Sequence, residues 1–384
     1  MTEQPLQGRY RQASLEVHYG PGAVAGLERA LAAEGVERAL VVTGTTLATK
    51  TDLVERVRAA AGGRVAGVFH ETVQHVHRPT VLAGAAAARA VDADALISFG
   101  GGSPNDTMKA VAMCLAEGIA DGDRLDAMRM GAGGRPRLSG QAPPTFAIPT
   151  TLSAGEFTAF FGVTHEVRRV KDLFGDPQLN AKAIFLDPEL TLATPERLWL
   201  STGMRAVDHC VEAIASRKAH PFTSALAKEA LTMLNRSLRR TRTDPGDLAA
   251  RTESLLAAWM SVAGLNNVTV GLSHAIGHQL GGLCDVPHGI TSCITMHPVM
   301  RYNAEQCAAA HAQVAAALGV SDAADGVRDL VLALGLPHRL SEVGVGPDRF
   351  AELADATLTD GSAHANPRKV AGPEEIVAIL EQVR

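Results

Sequence analysis

Between residues 38 and 190, short β-branched runs alternate with segments of helical period, and this alternation restricts the fold more than any single motif. The runs are RALVVTG (38–44), GRVAGVFHETV (63–73), ADALISFGGGS (93–103), PTFAIPTT (144–151) and KAIFLDPEL (182–190), with helical patterns at 47–61 and 79–91 between the first three. Strands joined through helices pair in parallel, because the crossover brings the chain back in its original direction. From about 191 the strands nearly vanish, and helical patterns occupy 195–218, 222–240, 247–265, 268–283, 291–302, 304–318, 322–334, 347–357 and 373–383. The expected architecture is an α/β domain over 1–190 with a mainly parallel sheet, followed by an all-helical domain over 191–384. Ligands of such proteins bind beyond the carboxyl ends of strands or between domains, so the cleft between the halves is the default site.

Composition narrows the partners. With 36 basic against 41 acidic residues and a formal charge of -5, the chain lacks the basic surface that draws a protein to nucleic acid. No apolar run approaches the roughly 20 residues of a membrane span. The start, MTEQPLQGRYRQ, has no basic-then-apolar secretory pattern, which points to the cytoplasm. Five scattered cysteines without a CxxC suit a reducing compartment. The stretch 121–144 is rich in Gly, Pro and Arg and reads as an exposed connection.

Two segments carry chemistry. In ALISFGGGSPNDTMKAVAM (95–113) an apolar strand runs through Gly100, Gly101 and Gly102 into an amphipathic helix. Ser103 is placed as N-cap, Pro104 as first helical residue and Asp106 as third, a variant capping box. Bare glycines and free amides at a helix start favour a diphosphate, although a tight turn that binds nothing has the same appearance. In GLSHAIGHQLGGLCDVPHG (271–289), His274 and His278 share a helical face and His288 follows after a turn. A histidine on an apolar face is often only a core residue, but three in one segment suggest a site. The HxxxH spacing is that of zinc proteases, yet Ala275 stands where their glutamate is needed. His209, His274 and His288 could instead offer three nitrogens to Fe2+ or Zn2+ with one position left open.

Taken in order, VHYGPGAVAGLERAL, GGGSPNDTMKAVA, IPTTLSAGEFT, KAIFLDPELTLATP, GMRAVDHCVEA and HAIGHQLGGLCDVPHG resemble the iron-containing alcohol dehydrogenases over almost the whole chain. Within that family the sequence is similar to the maleylacetate reductase branch, whose QHV segment has a counterpart in VQHVH (73–77). The resemblance implies a Rossmann-like NAD(P)-binding domain and hydride transfer between the cofactor and a small carbonyl compound. It implies that Gly100, Gly101, Gly102 and Ser103 hold the diphosphate, with Asp106 and Lys109 on the helix behind. Thr150 and Thr151 line the cofactor cleft, and Leu190 lies in the segment closing over it. His209, His274 and His288 match metal ligands, His278 matches a histidine of proton relay and substrate contact, and the usual assembly is a homodimer.

Two departures carry weight. Where the family has a ligand aspartate four residues before the first histidine, this chain has Arg205. Asp208 lies about 100° around a helix from His209 and is expected not to replace it. Where NAD-preferring members carry an aspartate after the first strand, this chain has Gly44, which removes the repulsion of a 2′-phosphate and leaves NAD and NADP both admissible. A guanidinium beside three imidazoles opposes a divalent ion. Either Arg205 turns away to Glu212 or Glu156 and a weakened metal site persists, or it replaces the metal by steadying an alkoxide or clamping a substrate carboxylate. A third possibility is a surface pairing of Arg205 with Asp208 or Glu212. The expected activity is reduction of an oxo acid or an aldehyde or ketone. The rivals are a silent nucleotide-binding sensor or scaffold, and dehydroquinate synthase-like or glycerol-phosphate dehydrogenase-like chemistry.

Overall fold

The computed structural model describes residues 15–131, 136–168, 170–265 and 267–384. The MTEQPLQGRYRQ start and part of the 121–144 connection lie outside the described residues.

The described residues form eight strands: β1 (Glu16–Tyr19), β2 (Ala39–Gly44), β3 (Val65–Thr72), β4 (Ala95–Gly100), β5 (Thr145–Pro149), β6 (Phe160–His165), β7 (Val170–Gly175) and β8 (Ala183–Leu186). Six make one sheet in the order β1-β8-β5-β4-β2-β3, every pair parallel, while β6 and β7 form a separate antiparallel hairpin. Every residue of β4 and β5 is buried, because helices cover both faces, and this is why these strands read as unbroken apolar runs. The helices of this part are α1 (Leu27–Ala33), α2 (Thr45–Lys50), α3 (Leu53–Ala60), α4 (Arg78–Ala90), α5 (Gly102–Ala116) and α6 (Gly122–Ala127). From β2 the chain moves to β3 on one side, and from β4 to β5 on the other. Strand order therefore reverses between β2 and β4, and a crevice opens beyond their carboxyl ends at Gly44 and Gly100.

The C-terminal region is helical throughout: α7 (Glu196–Ala215), α8 (Pro221–Thr243), α9 (Leu248–Val262), α10 (Leu272–Cys284), α11 (His288–Asn303), α12 (Ala308–Leu318), α13 (Ala323–Ala333), α14 (Phe350–Leu358), α15 (Gly361–Ala365) and α16 (Pro373–Glu381). Helix α7 packs against α8, α9 and α11, so it is buried nearly all round from Trp199 to Ile214. A helix wrapped in this way can bring polar side chains into a dry interior only if neighbouring groups satisfy them. No described helix is long and apolar enough to cross a membrane.

Three expectations are corrected. The 47–61 pattern is two helices, not one, because Thr51 is extended and its hydroxyl accepts from the Leu53 amide at 3.3 Å, diverting the backbone from the helix. The 121–144 connection contains α6, capped by the Asp121 carboxylate. The β6–β7 hairpin and β1 were not expected at all.

His297 on α11 has consequences for stability. It is buried, and Arg301 donates to its Nδ1 at 3.0 Å, a bond that only the neutral ring accepts. Burial, with Arg301 adding to it, pulls the imidazole down to about 4. In the unfolded chain it titrates near 6.5, so its contribution is complete above that pH and is lost as pH falls through about 4. Unfolding free energy measured by denaturant from pH 7 to 4 is expected to fall about 2–3 kcal/mol less in His297→Gln than in the parent chain. Parallel pH profiles would contradict this assignment.

Candidate active site

The crevice between β2 and β4 has little side chain in it. Gly100 adopts φ 139°, a region that L-residues rarely occupy, and a Cβ there would sit 2.9 Å from the Pro104 ring. A Cβ on Gly101 would meet the Thr151 side chain at 3.0 Å. Helix α5 begins at Gly102 with Gly101 as N-cap, and Ser103 caps nothing, contrary to the capping-box expectation. The reason is that Gly101 is itself extended and carries no side-chain acceptor, so the first helical amides stay free. Near the end of β2 and in the first turns of α5, the Thr43 hydroxyl, both side-chain polar atoms of Asn105 and the Thr107 hydroxyl are buried without a partner. Free amides, bare glycines and unsatisfied buried polar atoms fit a diphosphate-bridged dinucleotide. At Gly44 a Cβ would find only Thr72 Oγ1 within 4 Å, at 3.7 Å, so nothing there blocks a ribose or its phosphate.

The other residues expected around the cofactor have different surroundings. Lys109 is buried, and its ammonium donates to the carbonyls of Gly155, Thr158 and Phe160 at 2.7, 2.6 and 3.2 Å. It thereby braces the loop into β6, and burial pulls it down to about 8. Asp106 accepts from the Gly162 amide at 3.2 Å and anchors the hairpin to α5. The Thr151 hydroxyl lies 2.9 Å from Ser153 Oγ, and the Thr150 carbonyl accepts from Thr194. Leu190 is fully buried in the apolar cluster that contains Phe146 and Phe185 beneath the sheet, so it contributes packing.

The histidines are carried by three helices. Arg205, Asp208, His209 and Glu212 project from α7, His274 and His278 from α10, and His288 begins α11. The His209 and His274 rings lie 5.1 Å apart, His274 and His278 6.3 Å, and His278 and His288 6.2 Å. Glu212 sets the start of α10, since its two oxygens accept from the amides of Gly271 at 2.6 Å and Ser273 at 2.9 Å. His274 Nδ1 is 2.7 Å from Glu212 Oε2, although neither ring nitrogen makes an aligned hydrogen bond. His209 Nδ1 and His288 Nδ1 are likewise buried without partners. Burial holds all three imidazoles well below their usual range, with Arg205 adding to each. They are neutral at physiological pH.

Arg205 does not turn away to Glu156. Its Nη1 donates to Ser292 Oγ at 3.1 Å and lies 3.7 Å from Asp208 Oδ2, so the guanidinium stays inside the histidine cluster and is no surface pair. Asp208 is fully buried and accepts from the hydroxyls of Ser273 and Ser292 at 3.0 and 2.7 Å. Its offset from His209 along the helix does not take it out of the site, because it approaches His274 at 3.5 Å. Among the described residues, the set of three donors whose ligand atoms lie within 4.8 Å of one another is Asp208, Glu212 and His274. His209, His274 and His288 do not form such a set.

Sequence reasoning missed the supports of this site. His278 Nδ1 is 2.8 Å from Asp360 Oδ2, whose carboxyl stays below its usual range: burial pushes it up, but the bond and charge of His278 outweigh that. Lys171 on β7 places Nζ 3.4 Å from His288 Nε2. His75 lies edge-on to His288 at 5.5 Å and 3.1 Å from Asp285. His75 and Val76 both have positive φ, 63° and 52°, a strained backbone for a β-branched residue. The VQHVH segment was the only advance signal for any of these.

Two family models match the chain: "Iron-containing alcohol dehydrogenase" over residues 15–188 and "Fe-containing alcohol dehydrogenase family, C-terminal" over 199–383. A maleylacetate reductase of Burkholderia cepacia is 33% identical over 354 residues, 92% of this chain and 91% of that protein. A 1,3-propanediol dehydrogenase of Klebsiella pneumoniae is 31% identical over 380 residues, 95% and 96% of the two chains. The crystal structure of maleylacetate reductase from Agrobacterium tumefaciens superposes with a TM-score of 0.83 at 28% identity, covering 99% of this chain and 98% of that one.

Proposed function

Since the chain belongs to the iron-containing alcohol dehydrogenase family, and is thereby an NAD(P)-dependent oxidoreductase of carbonyls and alcohols, we propose that it reduces an oxo acid with Arg205 in the metal's role. The observation that carries this reading is the buried guanidinium held among the imidazoles by Ser292 and Asp208. Residues 1–190 then hold the cofactor, and 191–384 carry the groups that act on the substrate.

A bound nicotinamide supplies the hydride. The chain's own residues do the rest. Gly100, Gly101, Gly102 and Ser103 present the amides of a helix start to the diphosphate. Arg205 directs an always-charged planar donor at the carbonyl oxygen, where negative charge grows, or at a neighbouring carboxylate. His278 delivers a proton from Nε2 to the new alkoxide, because its Nδ1 is committed to Asp360 and the ring is thereby oriented. His209, His274 and His288 stay neutral and form the dry wall that strengthens the Arg205 charge.

The residues support a metal poorly. Both Glu212 oxygens are engaged by α10 amides, Asp208 is engaged by two hydroxyls, and Arg205 stands where the resemblance implies a carboxylate. No step is assigned to an ion. All five cysteines are free, which supports a cytoplasmic location, and a homodimer is the assembly implied by the family. Nothing in the comparisons favours a silent sensor or the synthase-like alternative.

The test is a panel of oxo acids, aldehydes and ketones with NADH and with NADPH, followed by nicotinamide absorbance before and after exhaustive chelation. Oxo-acid turnover that survives chelation is the expected result. Turnover recovered only on adding Fe2+ or Zn2+ would defeat the metal-free reading.

A further inference from the structure

The β6–β7 hairpin carries Lys171, paired in register with Thr164, and its stem crosses the strand at Gly162. A Cβ on Gly162 would collide with the Cδ and Cε atoms of that stem, so glycine is what lets the lysine lie over the hairpin toward the helices. The ammonium is a strong triple donor with weak partners: His288 Nε2 at 3.4 Å and Asp106 Oδ2 at 3.8 Å. Its side chain is 26% exposed, so it borders the cleft and is not sealed in the core.

On the helical side Arg205 has a neutral partner, Ser292 Oγ at 3.1 Å, and its nearest carboxylate oxygen, on Asp208, is 3.7 Å away. Burial disfavours the Lys171 ammonium, and the Arg205 charge across the cleft adds to that. Two like charges in a partly dry cleft, neither with a carboxylate closer than 3.7 Å, are relieved by an anion that reaches both.

We propose that Lys171 is a specificity-determining residue of this site: its ammonium binds a carboxylate of the substrate from the sheet side, while Arg205 acts from the helical side. This rests on the oxo-acid reading above. It selects for carbonyl compounds with an anionic group at a second position, and it ties that selection to the hairpin that Asp106 anchors to the cofactor helix.

The experiment uses the full-length enzyme with NADH or NADPH and acetonedicarboxylate, its monomethyl ester and its dimethyl ester, which remove the charges one at a time on one ketone skeleton. The parent enzyme is expected to prefer the free acid. In Lys171→Met the preference for diacid over diester, taken as a ratio of kcat/KM, falls about 10–100-fold, mostly through KM. Lys171→Arg recovers most of it, and Gly162→Ala lowers it in the same direction by displacing the stem with its charge intact. Should Lys171→Met fail to fold, Gly162→Ala and Lys171→Arg carry the test. If the parent prefers the diacid and the Lys171 and Gly162 variants keep that preference, or lose activity equally on all three ketones, the Lys171 assignment is overturned and the oxo-acid reading stands. If the parent shows no preference for the free acid, the oxo-acid reading itself fails and takes this assignment with it.

Discussion

Arg205→Met is expected to lower kcat/KM for an oxo acid by about 10²–10³-fold, the scale of removing one preorganised donor from an oxyanion site. Methionine keeps the apolar stem of arginine, so most of the packing survives while the charge and its hydrogen bond to Ser292 are removed. The loss should be smaller for an uncharged aldehyde if the guanidinium also holds a carboxylate. The counterpart is Arg205→Asp, which changes the local charge by two units and puts a carboxylate beside His209, His274 and His288. Its affinity for Zn2+ or Fe2+, measured by calorimetry on the apo-protein, should exceed that of the parent by about 10²-fold or more, given two charge units at contact distance. Retention of activity within a few-fold in Arg205→Met, together with unchanged ion affinity in Arg205→Asp, would assign Arg205 to structure alone.

The second large effect is at His278. His278→Ala removes the group proposed to protonate the alkoxide, and kcat for reduction should fall about 10²–10⁴-fold, with KM for the carbonyl moving far less. Asp360 is the hydrogen-bond partner of that ring's Nδ1, so Asp360→Asn should give a smaller loss, about 10-fold, with a displaced pH profile. Equal loss in kcat and in cofactor affinity for His278→Ala would point to collapse of α10. A variant of His278 with full kcat would move the proton transfer to water or to another residue.

The sheet was legible because β4 and β5 are covered on both faces and so read as continuous apolar runs, and because Gly100 sits at a backbone angle that other residues avoid. The hairpin was not legible. FFGVTH and VKDLFG are joined through residues 166–169, EVRR in sequence, with no glycine, asparagine or proline to mark a turn. The histidines announced themselves by i, i+4 spacing on α10 and by the turn before His288, whereas Asp360 lies 82 positions from His278 and only tertiary packing joins them. Lys109 and Asp106 were placed on the right helix, but residue type could not tell that they face the β6–β7 hairpin and the loop into it. Arg205 was marked in advance by a local departure from the family pattern, and it lies inside the cluster beside Ser292 and Asp208.

The two α10 amides held by Glu212 bear on how such a site can change its chemistry. In many metal centres the ion is also the rivet: take it out and the side chains around it relax. Here a carboxylate on one helix fastens the beginning of another, so the bearing of α10, and of the His274 and His278 it carries, is set by a protein group. A frame riveted by its own carboxylate tolerates a change at a single neighbouring position more readily than one riveted by an ion alone.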